Sequence, residues 1–91
     1  MNIVYKYPLE IMDLQEVEMP QGSRILAVQV QVETVCLWAM SNADESRKVR
    51  RMFRIYGTGR LIKEDPADLD YIGTVQTGPF VWHIFERKRA K

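Results

Sequence analysis

Hydrophobic and polar residues alternate with a period of two along most of the chain, a pattern typical of strands rather than helices. In residues 24–33 an aliphatic side chain recurs at every second position, and the opposite face is expected to begin with Ile25 and Ala27 and to continue with polar residues. The residues expected to share the apolar face are Leu26, Val28, Val30 and Val32. The pattern predicts an antiparallel strand with one face in water. We expect it to pair with residues 35–40 as a hairpin that turns around Glu33 and Thr34.

The same alternation predicts further short strands, which are separated by polar or glycine-rich segments. These strands cover residues 3–7, 16–19, 48–56, 71–76 and 80–86. The polar segment 41–46 is expected to be an exposed loop, and the acidic segment 63–70, which contains Pro66, allows at most one short helical turn. Six to seven short strands predict an all-β or mostly β fold, arranged as a small antiparallel sandwich or barrel.

The length of 91 residues predicts one domain. We place the β domain at residues 1–86 and a basic C-terminal tail at 87–91. Residues 80–86 are apolar on both faces, which predicts a central strand or one half covered by a partner. A meander of this kind leaves an open sheet edge, so we expect the protein to form a homo-oligomer.

The composition of the chain argues against several classes of function. The chain has 13 Lys and Arg against 12 Asp and Glu, so no overall field draws it to nucleic acid or to a membrane. It has no apolar run long enough to cross a bilayer, and it has a single cysteine, Cys36, which we expect to be buried and inert. These features predict a soluble intracellular protein with no metal site and no cofactor.

The strongest local charge is the run Arg47–Arg51, followed by Arg54. Strand alternation places Lys48, Arg50 and Arg54 on one face. This row is suited to a phosphate ligand or to an acidic protein surface. The alternative is a solvated edge strand that charge protects from aggregation.

The glycine pair after this strand is a second candidate site. Gly57-Thr58-Gly59 lacks the patterns of a P-loop or a dinucleotide-binding turn, and an ordinary turn that ends a strand is the favoured explanation. Backbone donors, guanidinium groups and an aromatic face together are nevertheless suited to a phosphorylated ring compound. The predicted ligand-binding residues are Arg50, Arg54, Tyr56, Gly57, Thr58, Gly59 and Arg60.

The remaining residues with chemical potential favour structural roles. Two tryptophans are difficult to bury completely in so small a domain, so we expect Trp38 and Trp82 to contribute to a subunit interface or groove. His83, between Val81 and Phe85, is expected to be a hydrogen-bonded core residue. We assign no catalytic residues and predict that the protein is not an enzyme.

Several short phrases resemble a family of small uncharacterised proteins encoded by bacteriophages and prophages. They are Leu37-Trp38-Ala39, Ile55-Tyr56-Gly57-Thr58-Gly59, Tyr71-Ile72-Gly73-Thr74 and Val81-Trp82-His83. The resemblance extends over nearly the whole chain and is most specific in the Ile-Tyr-Gly-Thr-Gly phrase. That phrase is often followed by His-Pro in the family, whereas Arg60-Leu61 follows it here. The resemblance implies a viral protein that acts in the cytoplasm of an infected bacterium.

These observations lead to three functional hypotheses. The first is a non-enzymatic counter-defence protein that captures a phosphorylated small molecule, such as a nucleotide signal. The second is a protein–protein inhibitor of a host defence complex or nuclease. The third, which we rank last, is a small hydrolase that uses His83.

Overall fold

The computed structural model describes residues 1–88 and contains seven antiparallel strands and one 3₁₀ turn. The strands are β1 (Asn2–Pro8), β2 (Leu14–Pro20), β3 (Arg24–Gln31), β4 (Thr34–Asn42), β5 (Lys48–Gly57), β6 (Leu69–Thr77) and β7 (Phe80–Arg87). The 3₁₀ turn, Pro66–Asp68, is the short helical turn expected in the acidic segment. No helix among residues 1–88 is long and apolar enough to cross a bilayer.

The strands form two sheets that share one core, which confirms the predicted small antiparallel β architecture. One sheet has the order β1–β4–β3, and the other has the order β2–β5–β7–β6. Both sheets contribute side chains to the core, which includes Val28, Val35 and Leu37 from the first sheet and Met19, Phe53, Ile55 and Ile84 from the second. At Gly73 on β6 an added Cβ atom would lie 2.6 Å from the Val28 side chain. The absence of a side chain at this position therefore allows β3 and β6 to approach closely.

The faces predicted for residues 24–33 are wrong at three positions, Ile25, Leu26 and Val32. The register shifts between Ile25 and Ala27, so Leu26 lies in a β-bulge and is 47% exposed. The extra residue changes which face the neighbouring side chains take. Ile25 before the bulge and Val28 and Val30 after it therefore all pack against the core. Val32 is not in the strand at all, because it occupies the following turn.

The hairpin between β3 and β4 is confirmed, but its turn lies one residue earlier than predicted. Gln31 pairs with Thr34, and the two residues between them, Val32 and Glu33, have φ angles of +47° and +65°. Two positive φ angles match the twist of the flanking strands, and glycine or asparagine usually supplies them. The periodicity gave no sign of this turn, because a β-branched residue rarely adopts a positive φ.

Both basic strand β5 and apolar strand β7 are central. β5 pairs with β2 and β7, so the interpretation of β5 as a charge-protected edge is wrong. β7 pairs with β5 and β6, which is the first of the two arrangements that its apolar faces predicted. Arg87, the first residue assigned to the tail, is the last residue of β7, and residues 89–91 lie outside the described residues.

Candidate functional site

An open cavity of about 850 Å³ lies where β5 ends, beside the Gly57–Gly59 turn, and we refer to it as the turn cavity. Its lining comprises Ile11, Met12, Asp13, Arg54, Ile55, Tyr56, Gly57, Gly59, Arg60, Leu61, Lys63, Glu64 and Trp82. These residues come from the β1–β2 connection, the end of β5, the β5–β6 connection and β7. The cavity therefore combines cations, carboxylates, two aromatic rings and exposed aliphatic side chains.

The local sequence explains how the turn forms. β5 ends at Gly57, and the Arg60 backbone N–H donates a 3.1 Å hydrogen bond to the Gly57 carbonyl. Gly59 has a φ of +87°, a conformation in which a side chain would be strained. A Cβ at Gly57 would lie 3.4 Å from the Trp82 ring, so the absent side chain leaves room for the indole to pack against the backbone.

Glu64 connects the cavity to the outer face of β5. Arg54 donates from Nε to the Glu64 carboxylate, and the Tyr56 hydroxyl donates to the same carboxylate oxygen at 3.2 Å. Burial raises the pKa of Tyr56; the charge of Arg54 opposes the rise, and the hydrogen bond to Glu64 adds to it. Arg54 and Tyr56 are thus held in place by a residue that sequence reasoning did not select.

Five of the seven predicted ligand-binding residues line this one cavity: Arg54, Tyr56, Gly57, Gly59 and Arg60. Arg50 does not, because it lies further back on β5, lines a neighbouring cavity of about 910 Å³ and pairs with Glu16 at 3.7 Å. The Thr58 hydroxyl is engaged elsewhere, 2.7 Å from Nε2 of His83.

Sequence reasoning missed Asp13, Lys63 and Glu64. The Ile55 N–H donates to the Asp13 carbonyl at 3.3 Å, which brings the β1–β2 connection to the end of β5. Asp13 and Ile55 are far apart in the sequence, so no local sequence pattern predicts this contact. For Lys63 and Glu64, the one available signal was their position shortly after the glycine turn.

The two tryptophans occupy different environments. Trp82 is half-buried in the turn cavity, and its Nε1 donates to the Thr77 hydroxyl at 2.7 Å. Trp38 is a half-buried residue of β4, opposite Lys6 and Ala27 on the neighbouring strands. Their assignment to a subunit interface stays a prediction.

His83 lies outside the buried core, in a chain of hydroxyl contacts across the four-stranded sheet. Its Nε2 is 2.7 Å from the Thr58 hydroxyl, and its Nδ1 is 3.0 Å from the Thr74 hydroxyl. The Tyr71 hydroxyl lies 2.6 Å from the same Thr74 oxygen. Within residues 1–88 the hydrogen bonds of the ring go to hydroxyls and not to a carboxylate, so this site lacks the carboxylate that usually orients a catalytic histidine.

The opposite end of the sandwich contains a second polar cluster, which combines two buried serines with a half-buried ion pair. Arg51 forms a two-point ion pair with Glu86, at 2.5 and 2.7 Å, and also donates to the Ser23 carbonyl. The Ser23 hydroxyl contacts Ser41 at 2.7 Å. Ser41 was predicted in an exposed loop but is a buried residue of β4, because that strand continues to Asn42. We call Ser23, Ser41, Arg51 and Glu86 the closed-end cluster.

Neither end of the sandwich gathers ligands for a metal ion. In the part of the chain that the structure describes, no three His, Cys, Asp or Glu side chains lie together as metal ligands would. Cys36 is a buried free cysteine of β4. The chemistry available at the turn cavity is therefore that of charges, hydrogen bonds and aromatic faces.

The fold and cavity define a small all-β protein with two sheets and an open site of mixed charge at one end. The chain belongs to the family described as a domain of unknown function (DUF7352), whose match covers residues 1–91. No curated protein matches the chain. No solved structure matches it either.

Proposed function

We propose that the protein is a non-enzymatic binding protein that captures a phosphorylated ring compound, such as a nucleotide, in the turn cavity. The observation that carries this proposal is that five residues selected for this chemistry from the sequence line one cavity. Its volume of about 850 Å³ lies within the range of roughly 300–1,000 Å³ found for small-molecule sites.

The cavity offers separate partners for a phosphate and for a ring. Arg60 is an exposed cation beside the turn, and Lys63 is a second one three residues further on. Tyr56 and Trp82 supply aromatic surface that a planar ring can contact. Gly59 has no side chain, so a ligand can approach the turn backbone closely.

Arg54 would act as a partly neutralised member of the site. Its Nε is engaged by Glu64, and within residues 1–88 neither of its Nη groups makes a hydrogen bond. Glu64 and Asp13 place two carboxylates against the three cations of the cavity. This balance favours a compact ligand with one or two phosphates over a long polyanion.

Isothermal titration calorimetry tests the proposal with AMP, ADP, a cyclic dinucleotide, adenosine and inorganic phosphate as probes. We expect at least one phosphorylated nucleotide to bind, and adenosine to bind much more weakly. Arg60→Ala combined with Lys63→Ala should weaken binding at least tenfold, which corresponds to about 1.4 kcal/mol. Arg24→Ala combined with Lys48→Ala removes the same charge from exposed positions outside the cavity and should leave the affinity unchanged. Equal losses in both variants would contradict the site assignment.

The biological setting is the finer part of the proposal. The resemblance of the Ile-Tyr-Gly-Thr-Gly and Val-Trp-His phrases to phage and prophage proteins supports a viral origin. We propose that the protein acts in the host cytoplasm, where it withdraws a nucleotide signal of bacterial defence. Native mass spectrometry of the protein isolated from infected cells should then reveal a bound nucleotide.

A specific observation also favours a protein partner. Ile11, Met12 and Leu61 line the turn cavity although they are 49%, 46% and 84% exposed. Exposed aliphatic side chains at a cavity rim are suited to a protein surface, such as a host defence complex or nuclease. Leu61→Ser, which removes the aliphatic surface without adding a charge beside Arg60, should weaken such an interaction much more than it weakens nucleotide binding, which separates the two functions.

A further inference from the structure

β1 lies at the outer edge of the three-stranded sheet and is the most exposed strand of the fold. Among residues 1–88 it pairs only with β4, and six of its seven residues are exposed. Ile3, Val4 and Tyr5 are 38%, 51% and 40% exposed, so both faces of this edge present apolar surface. A long apolar edge with free backbone groups is a template for another strand.

The other three edges of the two sheets are blocked. β2 carries Glu16, Glu18 and Pro20, and such charges and prolines discourage pairing. β3 and β6 lie against each other, and each contains a bulge that interrupts its edge. Among the described strands, β1 has the least protection, since its proline, Pro8, is its last residue and its one charged side chain, Lys6, is hydrogen-bonded to Gln31.

The hydrogen bonds at both ends of β1 establish which backbone groups face outward. The Leu9 N–H donates to the Val35 carbonyl, and the Ala43 N–H donates to the Met1 carbonyl, each at 2.8 Å. In an antiparallel pair, the residues that exchange hydrogen bonds alternate with residues whose groups point away. The odd-numbered residues of β1 therefore bond to β4, and Asn2, Val4 and Lys6 present both N–H and C=O groups to the open edge.

We infer that two copies of this chain pair through β1, antiparallel about a two-fold axis at Val4. In this register Val4 faces Val4 of the second copy, and Asn2 faces Lys6. All donors and acceptors of these three residues are then used, which gives six hydrogen bonds between the chains. Ile3 faces Tyr5 across the axis, an aromatic and β-branched pair of the kind that stabilises sheets.

Pro8 and Lys6 argue against registers with the axis further toward the C-terminal end of β1. An axis at Tyr5 places Pro8, which has no N–H, opposite Asn2 and leaves the Asn2 carbonyl without a donor. An axis at Lys6 places two lysines directly opposite each other, which is destabilising. With the axis at Val4, Pro8 lies beyond the end of the ladder.

Sedimentation equilibrium over a range of concentrations tests the pairing. The wild-type chain should be dimeric, and Val4→Pro should be monomeric at every concentration, because proline removes an outward N–H without affecting the bonds to β4. Val4→Thr keeps that N–H and should remain dimeric. A monomeric wild-type chain, or a dimeric Val4→Pro variant, would overturn the inference.

Disulfide trapping tests the register independently of whether Val4→Pro folds. Facing residues that are not hydrogen-bonded lie close enough for a disulfide bond. A mixture of Ile3→Cys and Tyr5→Cys chains should therefore crosslink efficiently, whereas either variant alone should not. The wild-type chain controls for Cys36, which is buried. Efficient crosslinking of Tyr5→Cys alone would move the axis to Tyr5, and no crosslinking in any mixture would exclude pairing through β1.

Discussion

Arg51 and Arg54 lie on the same strand and each pairs with a glutamate, yet the two ion pairs have different surroundings. Arg51 points inward and meets Glu86 in the closed-end cluster, where it also binds the Ser23 carbonyl. Arg54 points outward and meets Glu64, a residue of the β5–β6 connection that lines the turn cavity. Their odd separation places them on opposite faces of the strand.

The exposed fractions of the side chains in the two ion pairs are similar and do not reveal this difference. The Arg51 and Glu86 side chains are 18% and 17% exposed, and those of Arg54 and Glu64 are 22% and 19% exposed. Arg51, however, joins Glu86 of β7 to the Ser23 carbonyl at the start of β3, so it connects the two sheets. Arg54 of β5 contacts only the β5–β6 connection, through Glu64, among the ion pairs and side-chain hydrogen bonds of residues 1–88. The inner pair thus joins the two sheets, whereas the outer pair holds the β5–β6 connection beside the turn cavity.

The largest expected effect is that of Arg51→Ala. Removal of one partner leaves the Glu86 charge without its ion pair, and such losses cost about 3–5 kcal/mol when the pair is fully buried. Because this pair keeps some exposure, we expect the free energy of unfolding to fall by about 2 kcal/mol, which includes the lost hydrogen bond to the Ser23 carbonyl. Urea denaturation followed by circular dichroism measures the change.

The matched control for Arg51→Ala is Arg50→Ala on the same strand. Arg50 is 71% exposed and lies 3.7 Å from Glu16, so its loss should change the free energy of unfolding by less than about 1 kcal/mol. A double-mutant cycle of Arg51 and Glu86 isolates their coupling. Equal effects of Arg50→Ala and Arg51→Ala would contradict the distinction between the two faces.

A smaller effect is expected from Ser41→Ala in the same closed-end cluster. The variant removes one buried contact, the 2.7 Å hydrogen bond between the Ser41 and Ser23 hydroxyls. Ser23 keeps its bond to the Pro20 carbonyl, so no buried hydroxyl is left unpaired. We expect a loss of about 1 kcal/mol by urea denaturation. Ser46→Ala, at an exposed position, should change nothing measurable.

Glu64→Gln should lower the free energy of unfolding less than Ser41→Ala does, but it should change the affinity for a ligand of the turn cavity. Glutamine keeps a side-chain oxygen that can accept from Arg54 and Tyr56, so we expect the free energy of unfolding to fall by less than about 1 kcal/mol. Loss of the negative charge leaves Arg54 available to a phosphate, so the nucleotide that binds in calorimetry should bind more tightly. Glu18→Gln, outside the turn cavity, is the control. Tighter binding in both variants would indicate a general charge effect.

The smallest expected effect is on the titration of Tyr56. Burial raises its pKa above the ordinary value of 10.0, with Arg54 opposing the rise and Glu64 adding to it. A raised pKa in the folded state means that this contribution to stability is present below pH 10 and is lost as pH rises through the folded pKa. Difference absorbance between wild type and Tyr56→Phe isolates this group. Glu64→Gln should lower the pKa of Tyr56, and an unchanged pKa would show that Glu64 has no influence on it.

Much of the fold was predictable because alternation reports directly on a strand with two different faces. All seven strands of the structure overlap predicted runs, and Phe53 and Ile55 point inward as the pattern of β5 indicated. The errors fall at Leu26, Val32 and Ser41, where a bulge, a turn with positive φ and an extended strand change the local geometry. Periodicity assumes regular backbone, so it fails at such positions.

The candidate site was predictable only in its local part. Arg54, Tyr56, Gly57, Gly59 and Arg60 are close in sequence, so a strand and its turn place them at one cavity. Asp13 reaches the cavity through the backbone hydrogen bond between its carbonyl and the Ile55 N–H, and Trp82 reaches it through the pairing of β7 with β5. Both are contacts between segments that are distant in sequence. Whether the cavity binds a phosphorylated compound stays a prediction.

The sequence by itself determined that this chain forms short antiparallel strands with one apolar face, because successive side chains along a strand point to opposite faces of the sheet. Only the tertiary structure decided that β5 is central, that Arg51 is tied to Glu86 and that β1 keeps an open edge. Strand order depends on pairings between distant segments, and a period of two is the same for central and edge strands.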